Sequence, residues 1–408
     1  MNKRRHFLKN SLMVAGALSA APAFASEQML NQVQPKLQSS VKDALQYINI
    51  KDIEIIKLKG DKKTPKTWNA IKTSGGKEPT ATYLKITTDQ GITGYTMTKG
   101  NKDDIVKYAK KIKGLNLLHT EKVWHHMFFH NRKPVAKGKE IHAIGSVDLC
   151  VWDIVGKALG LPVHTVLGTH KEQVLAYAAG GYYAEGKTAS DLAKEMESYV
   201  KEGFKYVKIK VGFLDAREDA ERIRTVAKAI GTDARIMVDA NNGYKTAADA
   251  IRFGRMVEDL DLYWFEEPVA PDDWRGNAEV REALDIPIVA GENEYTRWGA
   301  RDLVENHSCD IVNIDTIKGG GLTEMKKIAA LCSAYHVGIA PHGYAHMNIH
   351  AVASIPNAMI LETYPAKSRD FNPFLEPFPV KNGYVDVPTQ PGLGMDIAPE
   401  ILKKYRVG

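Results

Sequence analysis

From Val174 onward the chain alternates short apolar runs with amphipathic stretches. Short apolar runs bounded by turn residues are typical of buried parallel strands, and segments of helical period between them indicate β-α units. Eight such runs therefore predict a (β/α)-barrel, a modified TIM barrel, over residues 172–370. The runs are VLAYAAG, YVKIKVG, RIMVDAN, LYWFEEP, IPIVAGEN, DIVNIDT, VGIAPHG and AMILETY.

The segment before the barrel has a different pattern. The strand-like runs IKDIEIIKLKG and ATYLKITTDQGITGYTMTKG, the second with a hairpin turn at Asp89-Gln90-Gly91, precede helical periodicity over residues 102–161. Strands followed by helices predict an α+β domain over residues 46–165. The tail, residues 371–408, returns to turn-rich, β-like sequence. The expected fold class is thus α/β, a barrel with a capping domain built from the N-terminal region and the C-terminal tail.

Residues 1–25 predict an export signal. Four bases and no acid accompany an apolar stretch over residues 12–25 that is too short to span a bilayer, and the stretch ends in an A-x-A cleavage signal at residues 23–25. Arg4 and Arg5 followed by HFLK resemble a twin-arginine signal. We therefore expect a periplasmic mature protein. A signal for the general export route and a retained anchor are the alternatives.

Composition and charge exclude several classes of function. Without the four bases of residues 1–25, 51 bases stand against 49 acids, which gives no support for a nucleic-acid partner. Cys150, Cys309 and Cys332 are too few and too scattered for a disulfide framework, and they form no CxxC pair for zinc. No stretch after the export signal is apolar enough to be transmembrane. A small-molecule partner is expected.

Ionisable residues stand at the C-terminal ends of seven consecutive predicted strands. Catalytic residues of a TIM barrel occupy this face, and a purely structural barrel has no need of charges there. The pattern therefore predicts an active site. The residues are Lys208 and Lys210, Asp239, Glu266, Glu292, Asp315, His342 and Glu362.

Three of these carboxylates, Asp239, Glu266 and Glu292, follow successive strands. Neighbouring strands lie about 5 Å apart, so the three acids would repel one another without a cation. Three hard oxygen ligands suit Mg²⁺, with Mn²⁺ as an alternative; helix caps or ion pairs are the structural alternative. Because strand alternation sends Glu267 to the opposite face from Glu266, we expect Glu267 to partner a neighbouring base or a backbone donor.

The remaining strand-end residues suit acid/base chemistry. Lys208 and Lys210 share one strand face, and like charges so close lower each other's pKa, which would make one amine a general base near neutral pH. Asp315 beside His342 would fix the imidazole tautomer. Glu362 is expected either to bind a substrate carboxylate or to pair with a lysine. Surface lysines on an edge strand and a core histidine are the structural alternatives.

Two further patterns are distractors. His342, His346 and His350 have helical metal-ligand spacing, but we interpret His346 and His350 as ordinary residues of the next helix, with His346 lining the site as the alternative. The run WHHMFFH at residues 124–130 is interpreted as packing. Gly319–Gly321 predict a tight turn rather than a phosphate loop, because no GxGxxG pattern is present.

With GSVDLCVWDIVGKALGLPVHTVLG, KIKVG, VDANN, WFEEP, GEN, IDTIKGGG, APHG and LET in this order, the chain resembles the enolase superfamily, specifically the mandelate racemase subgroup. The muconate-lactonizing subgroup carries a lysine where this chain has Asp315. The resemblance implies Mg²⁺ on the three carboxylates and acid/base groups on opposite faces of the substrate. The residues with implied roles are Lys210 and His342 as acid/base groups, Asp315 and Lys208 as their supports, Asn241 beside the metal, and Glu362 stabilising an enediolate.

The resemblance also implies a reaction. Removal of the proton α to a carboxylate, followed by loss of a β-hydroxyl, would dehydrate a sugar acid to a 2-keto-3-deoxy acid. A racemase, epimerase or cycloisomerase using the same enediolate, and a non-catalytic binder of sugar acids, are the alternatives. Polar cap residues Arg132, Lys133 and Tyr182 are candidate substrate contacts. Cap loops 60–80 and 130–140 are expected to set specificity, and relatives imply a homo-oligomer.

Overall fold

A three-stranded antiparallel sheet opens the described part of the chain, which in this computed structural model comprises residues 47–129, 137–366, 368 and 371–407. The sheet has the order β1-β4-β5, and a two-stranded hairpin, β2-β3, lies between its first two strands. Gly91, in the predicted hairpin turn, has a φ of 81°, which favours glycine. The strands are β1 (Ile50–Lys59), β2 (Thr67–Trp68), β3 (Thr73–Ser74), β4 (Thr80–Thr88) and β5 (Thr93–Met97).

Among the described residues four helices follow the sheet, and the third packs between the sheet and the barrel. This helix is buried on all sides from residue 141 to residue 156, as expected of a helix enclosed by other elements. Gly145 permits a backbone approach, because a Cβ atom there would lie 2.3 Å from the carbonyl oxygen of Ile317. The helices are α1 (Lys102–Lys111), α2 (Thr120–Phe129), α3 (Lys139–Leu159) and α4 (Val163–Leu167).

Eight parallel strands form the barrel. The order β12-β11-β10-β9-β8-β7-β6-β13 is that of a curled sheet, and a parallel bridge between Ile339 and Ala358, just before β13, closes the ring. The structure thus confirms the predicted fold class, with all eight apolar runs as barrel strands. They are β6 (Gln173–Ala179), β7 (Tyr206–Lys210), β8 (Arg235–Asp239), β9 (Trp264–Glu266), β10 (Ile288–Ala290), β11 (Ile311–Val312), β12 (Gly338–Ile339) and β13 (Leu361–Thr363).

Helices between these strands cover the outside of the ring. The helix after β7 shows why they form. Asp215 and Glu218 make a capping box at its N-terminus, and its buried residues recur every three or four positions, which gives one apolar face towards the strands. The helices are α5 (Ala189–Lys201), α6 (Ala216–Ile230), α7 (Ala247–Val257), α8 (Trp274–Ala283), α9 (Thr296–Glu305), α10 (Leu322–Ala334) and α11 (Ala345–Ser354).

The C-terminal tail crosses the barrel and returns to the N-terminal sheet. Strand β14 (Tyr384–Asp386) pairs antiparallel with the first residues of β6, and α12 (Pro399–Tyr405) follows. Arg406 then bridges to Leu58 in β1, and its guanidinium lies 2.7 Å from Glu54 Oε1. The last described residues therefore pack on the N-terminal sheet. None of the helices in the described ranges is both long enough and apolar enough to cross a membrane.

Candidate active site

The C-terminal ends of β7, β8 and β9 bring lysines and acids together. Lys210 is the register partner of Asp239, and Asp239 is the register partner of Glu266. Farther around the ring the expected pattern needs correction. Glu292, Asp315 and His342 lie in loops two or three residues beyond β10, β11 and β12, because these strands have ladders of only two or three residues. Glu362 lies within β13.

Lys208 is the centre of a buried ion cluster. Its Nζ donates to both carboxylate oxygens of Glu266, at 3.0 and 2.9 Å, and lies 2.9 Å from Glu362 Oε1 and 3.6 Å from Asp239 Oδ2. Burial alone lowers the pKa of Lys208, but the carboxylates, Glu266 foremost, raise this pKa well above its usual value. The expectation that Lys210 would lower it is wrong, because three acids surround the amine.

Lys210 faces the site beside the cap. Its Nζ donates to Asp239 Oδ2 and lies 5.2 Å from the centre of the Tyr182 ring. Tyr182 follows β6, so its expected place in the cap is wrong. Asn241 donates its backbone N–H to Asp239 Oδ1 at 2.8 Å. The amide of Asn69, from the hairpin between β2 and β3, donates to Asn241 Oδ1 at 2.8 Å, so this loop reaches the site.

His342 lies between two carboxylates. Its Nε2 is 3.2 Å from Glu292 Oε2 and its Nδ1 is 3.5 Å from Asp315 Oδ2, although neither contact has hydrogen-bond geometry. Asp315 is held by the backbone N–H groups of Ile317 and Lys318, which donate to its Oδ1 at 2.9 and 2.7 Å. Burial is the largest single effect and lowers the pKa of His342, but Glu292, Glu362 and Asp315 together raise it, so the net shift is upward.

Asn313 and Lys318 also belong to the site and did not emerge from the sequence. Asn313 donates its side-chain amide to Glu266 Oε1 at 3.0 Å. The Lys318 Nζ donates to the Glu292 carbonyl at 2.6 Å and lies 3.6 Å from Glu292 Oε1. Both belong to the run NIDTIKGGG that contains Asp315. Asn313, two residues before Asp315, could have been found from the period-two alternation of a strand, whereas Lys318 depends on the glycine turn.

Glu267 points away from the cluster around Lys208. It has a φ of 44°, and its Oε1 accepts a hydrogen bond from the Asn293 side-chain amide at 2.6 Å. The expected partner, a base or a backbone donor, is therefore wrong: it is an amide side chain. Burial, and then the charge of Glu292, raise the pKa of Glu267 well above its usual value.

The accessible side chains of the site face one cavity of about 610 Å³. Lys210, Glu292, His342 and Glu362 line it together with Asn241, whereas the more deeply buried Lys208, Asp239, Glu266 and Asp315 stand behind its wall. Glu362 Oε2 accepts the backbone N–H of Gly343 at 2.5 Å. Lys210 and His342, the expected acid/base groups, thus line the same cavity.

His346 also lines the cavity, which was the alternative to its interpretation as an ordinary helix residue. His350 is fully buried and donates its Nε2–H to the Leu393 carbonyl at 3.1 Å. Trp124 of the aromatic run is buried and donates to the Gly320 carbonyl at 2.6 Å. The candidate contacts Arg132 and Lys133, like the expected export signal, lie outside the described residues.

Each of the three expected metal ligands contacts a basic side chain. Asp239 contacts Lys210, Glu266 contacts Lys208, and Glu292 contacts His342. Accordingly, within residues 47–129, 137–366, 368 and 371–407, no three His, Cys, Asp or Glu side chains form a preassembled metal site.

Comparisons with known proteins identify the family. The model described as enolase C-terminal domain-like matches residues 191–401. The chain is 34% identical over 336 residues to arabinonate dehydratase of Saccharolobus solfataricus, which covers 79% of this chain and 89% of the relative. It is 33% identical over 344 residues to D-galactarolactone cycloisomerase of Agrobacterium fabrum, with 79% and 90% covered. Both the lyase and the isomerase class expected from the sequence are thus represented.

A solved structure agrees with the sequence relatives. The crystal structure of a mandelate racemase/muconate lactonizing enzyme from a marine actinobacterium, in complex with magnesium, is 30% identical and superposes with a TM-score of 0.76. The match covers 88% of this chain and 100% of that one. The chain therefore belongs to the enolase superfamily, among the relatives of mandelate racemase and muconate lactonizing enzyme.

Proposed function

We propose that the protein dehydrates a sugar acid to a 2-keto-3-deoxy acid. The observation that carries this proposal is the meeting of Lys210 and His342 in one cavity. They come from β7 and from the loop after β12, which are separated by three strand steps in one direction around the ring and five in the other. Two acid/base groups on far sides of a ring suit proton removal on one face of a substrate and proton delivery on the other. Similarity to a sugar-acid dehydratase supports the choice of reaction.

Asp239, Glu266 and Glu292 would hold a Mg²⁺ ion. Their donor chemistry fits, since all three offer carboxylate oxygens. One oxygen also lacks a hydrogen bond: Glu292 Oε2 is buried without a hydrogen-bond partner, and its ionic neighbour is His342 Nε2 at 3.2 Å. Similarity to a magnesium-bound relative supports the choice of ion, and Mn²⁺ is its expected substitute. When bound, Mg²⁺ supplies positive charge that stabilises the charge developing on the substrate carboxylate.

The side chains of the cavity account for the proton transfers. In its neutral form the Lys210 amine would take the proton α to the carboxylate. His342 would donate a proton to the β-hydroxyl, which leaves as water, and the resulting enol becomes the 2-keto-3-deoxy acid. Asp315, held by two backbone N–H groups, keeps the imidazole in place. Glu362 faces the same cavity and is fixed by Lys208 and by the backbone of Gly343.

Cycloisomerisation is the second candidate. The identity with D-galactarolactone cycloisomerase, 33%, is almost equal to that with the dehydratase. Both reactions need removal of an α-proton, so the same lysine and histidine would serve. They differ in the fate of the carbanion, because a cycloisomerase opens a ring whereas a dehydratase expels water. Racemisation would return the proton without any loss of water.

A substrate panel in D₂O separates these reactions. Aldonic acids, aldaric acids and their lactones are incubated with the protein and Mg²⁺, and ¹H NMR follows the products. We expect a 2-keto-3-deoxy product, which is lost in Lys210→Ala and in His342→Ala. Exposed residues of the same types, Lys228→Ala and His119→Ala, are the matched controls. A ring-opened isomer would favour the cycloisomerase, exchange at the α-carbon alone would favour a racemase, and binding without turnover would make the protein a binder.

We also propose export by the twin-arginine route and assembly of the mature protein as a homo-oligomer. The RRHFLK run and the A-x-A sequence at residues 23–25 support export. Replacing Arg4 and Arg5 by lysine should keep the full-length protein in the cytoplasm, as fractionation and N-terminal sequencing would show. Unchanged processing would point to the general export route. Light scattering of the mature chain measures its oligomeric state.

A further inference from the structure

The cavity has a second region that the proposed reaction does not use. Another part of its wall comes from residues 371–380, the segment FNPFLEPFPV, which we name the tail wall. Phe371, Leu375 and Phe378 are only half-buried and line the cavity. Met97, at the end of β5, lines it as well. An apolar region therefore adjoins the polar catalytic region in one continuous space.

The tail wall is a built part of the cavity. Phe374 is buried and packs edge-on against Tyr405 of α12, with 5.4 Å between ring centres. His346 of α11 donates its Nε2–H to the Glu376 carbonyl at 2.9 Å, and its ring lies 4.5 Å from that of Phe378. The wall is thus anchored to the cap on one side and to the helix after His342 on the other, which places Phe378 at a defined position relative to the catalytic histidine.

The volume of the cavity exceeds that of one sugar acid. A six-carbon aldonate has roughly 13 non-hydrogen atoms, and even at the ~30 Å³ that each water takes in the liquid it would occupy about 390 Å³. The cavity measures about 610 Å³. A substrate confined to the catalytic end would leave the tail wall in contact with water. Binding sites usually enclose most of their ligand, so a larger molecule is expected.

The lining also indicates what the additional part of the ligand is. The tail wall contributes to the cavity the aromatic rings of Phe371 and Phe378 and the polar side chains of Asn372 and Glu376. The C–H face of a pyranose ring packs against aromatic rings, while its hydroxyl groups need polar partners around the edge.

We propose that the tail wall is a subsite for a second sugar ring, so that the substrate is a sugar acid with a glycosyl substituent. The acid end lies at Lys210 and His342, and the glycosyl ring lies against Phe371 and Phe378 of the tail wall. This inference rests on the proposed function for the orientation of the substrate. The size and lining of the subsite are independent of that function.

The test compares matched acids with and without the second ring. Gluconate is compared with maltobionate, cellobionate and lactobionate, which are gluconates bearing one further sugar. Product formation by the wild type gives kcat/KM, and calorimetry on the Lys210→Ala/His342→Ala double variant with Mg²⁺ gives affinity without turnover. We expect at least one glycosylated acid to bind at least tenfold more tightly than gluconate. Phe378→Ala should lower this preference about tenfold, and Tyr335→Ala, which removes an exposed aromatic ring elsewhere, should not.

The outcomes separate this subsite from the proposed reaction. Turnover of single-ring acids with no gain from the second ring overturns the subsite and leaves the dehydratase standing. Tighter binding of a glycosylated acid without any 2-keto-3-deoxy product supports the subsite and overturns the dehydratase. A gain that Phe378→Ala leaves unchanged places the second ring elsewhere and also overturns the proposal. If Phe378→Ala fails to fold, Leu375→Ala replaces it in the same comparison.

Discussion

Replacing Lys208 with methionine tests the charge balance of the site directly. Methionine keeps much of the apolar stem and removes the ammonium group. In the structure this group donates to both oxygens of Glu266 and lies within 3 Å of Glu362. The lysine is 1% exposed, and the two carboxylates are 1% and 2% exposed. Without the lysine, these acids are buried next to Asp239 with no cation between them.

The size of the effect follows from burial. Removing one partner of a buried ion pair costs about 3–5 kcal/mol, because the remaining charge is uncompensated. For a chain of this size, each kcal/mol lowers the midpoint of thermal unfolding by about 2 °C. Lys208→Met should therefore unfold about 6–10 °C below the wild type when divalent ions are chelated with EDTA. Lys205→Met removes an exposed lysine just before the same strand, and it should change the midpoint by less than 1 °C.

Differential scanning calorimetry in EDTA measures both variants, and a second scan with excess Mg²⁺ adds a further comparison. Under the proposed metal site, the ion takes over part of the charge compensation, so Mg²⁺ should raise the midpoint of Lys208→Met more than that of the wild type. A midpoint in EDTA equal to that of Lys205→Met would refute the reasoning, since it would show that the carboxylates do not depend on this amine.

Three further predictions concern the same region. Mg²⁺ at a hundredfold excess over its Kd should stabilise the wild type by about 2.7 kcal/mol, and Glu292→Gln should remove most of this gain in thermal scans; an equal gain would exclude Glu292 as a ligand. Asn313→Ala, which removes the amide held at 3.0 Å from Glu266, should weaken Mg²⁺ binding about 10- to 100-fold in calorimetry, and the exposed Asn306→Ala should not. Burial lowers the pKa of His142 to about 4; stability should fall as pH drops from 6.5 towards 4, because the unfolded chain binds the proton first, and His142→Phe should flatten this fall in urea titrations.

The barrel could be predicted because its strands are buried on both faces. Each run from VLAYAAG to AMILETY had to be apolar to fill the ring and to pack under the helices, and this pattern is visible without any partner. The C-terminal ends of β10, β11 and β12 were predicted less accurately. Their ladders stop two or three residues before Glu292, Asp315 and His342, because the chain leaves the sheet before the apolar run ends. An apolar run shows that residues are buried but not whether they belong to a strand. The residues of these loops are buried too, so the run continues past the end of the strand.

The contribution of the tail to the cavity had no comparable signal. The segment FNPFLEPFPV has neither the alternation of a strand nor the period of a helix, and between residues 371 and 380 it forms neither element in the structure. Its position depends on contacts with residues far away along the chain. Among them are the hydrogen bond from His346 to the Glu376 carbonyl and the packing of Phe374 on Tyr405. Local sequence cannot specify such pairings.

The same limit applies to the charges, where the sequence shows which residues converge but not how they pair. Alternation correctly places Lys208 and Lys210 on one face, and from that pair alone the pKa of each amine should fall. Register adds what alternation lacks: Asp239 is the partner of Lys210 in β8, and Glu266 is the next partner in β9. Lys210 therefore meets a carboxylate across the ladder, whereas Lys208, whose register partner is Met237, reaches Glu266 two strands away. The pKa of Lys208 rises rather than falls. Of the two lysines, the proposed function therefore assigns the proton transfer to Lys210, which lines the cavity, while Lys208 holds Glu266 and Glu362 in place.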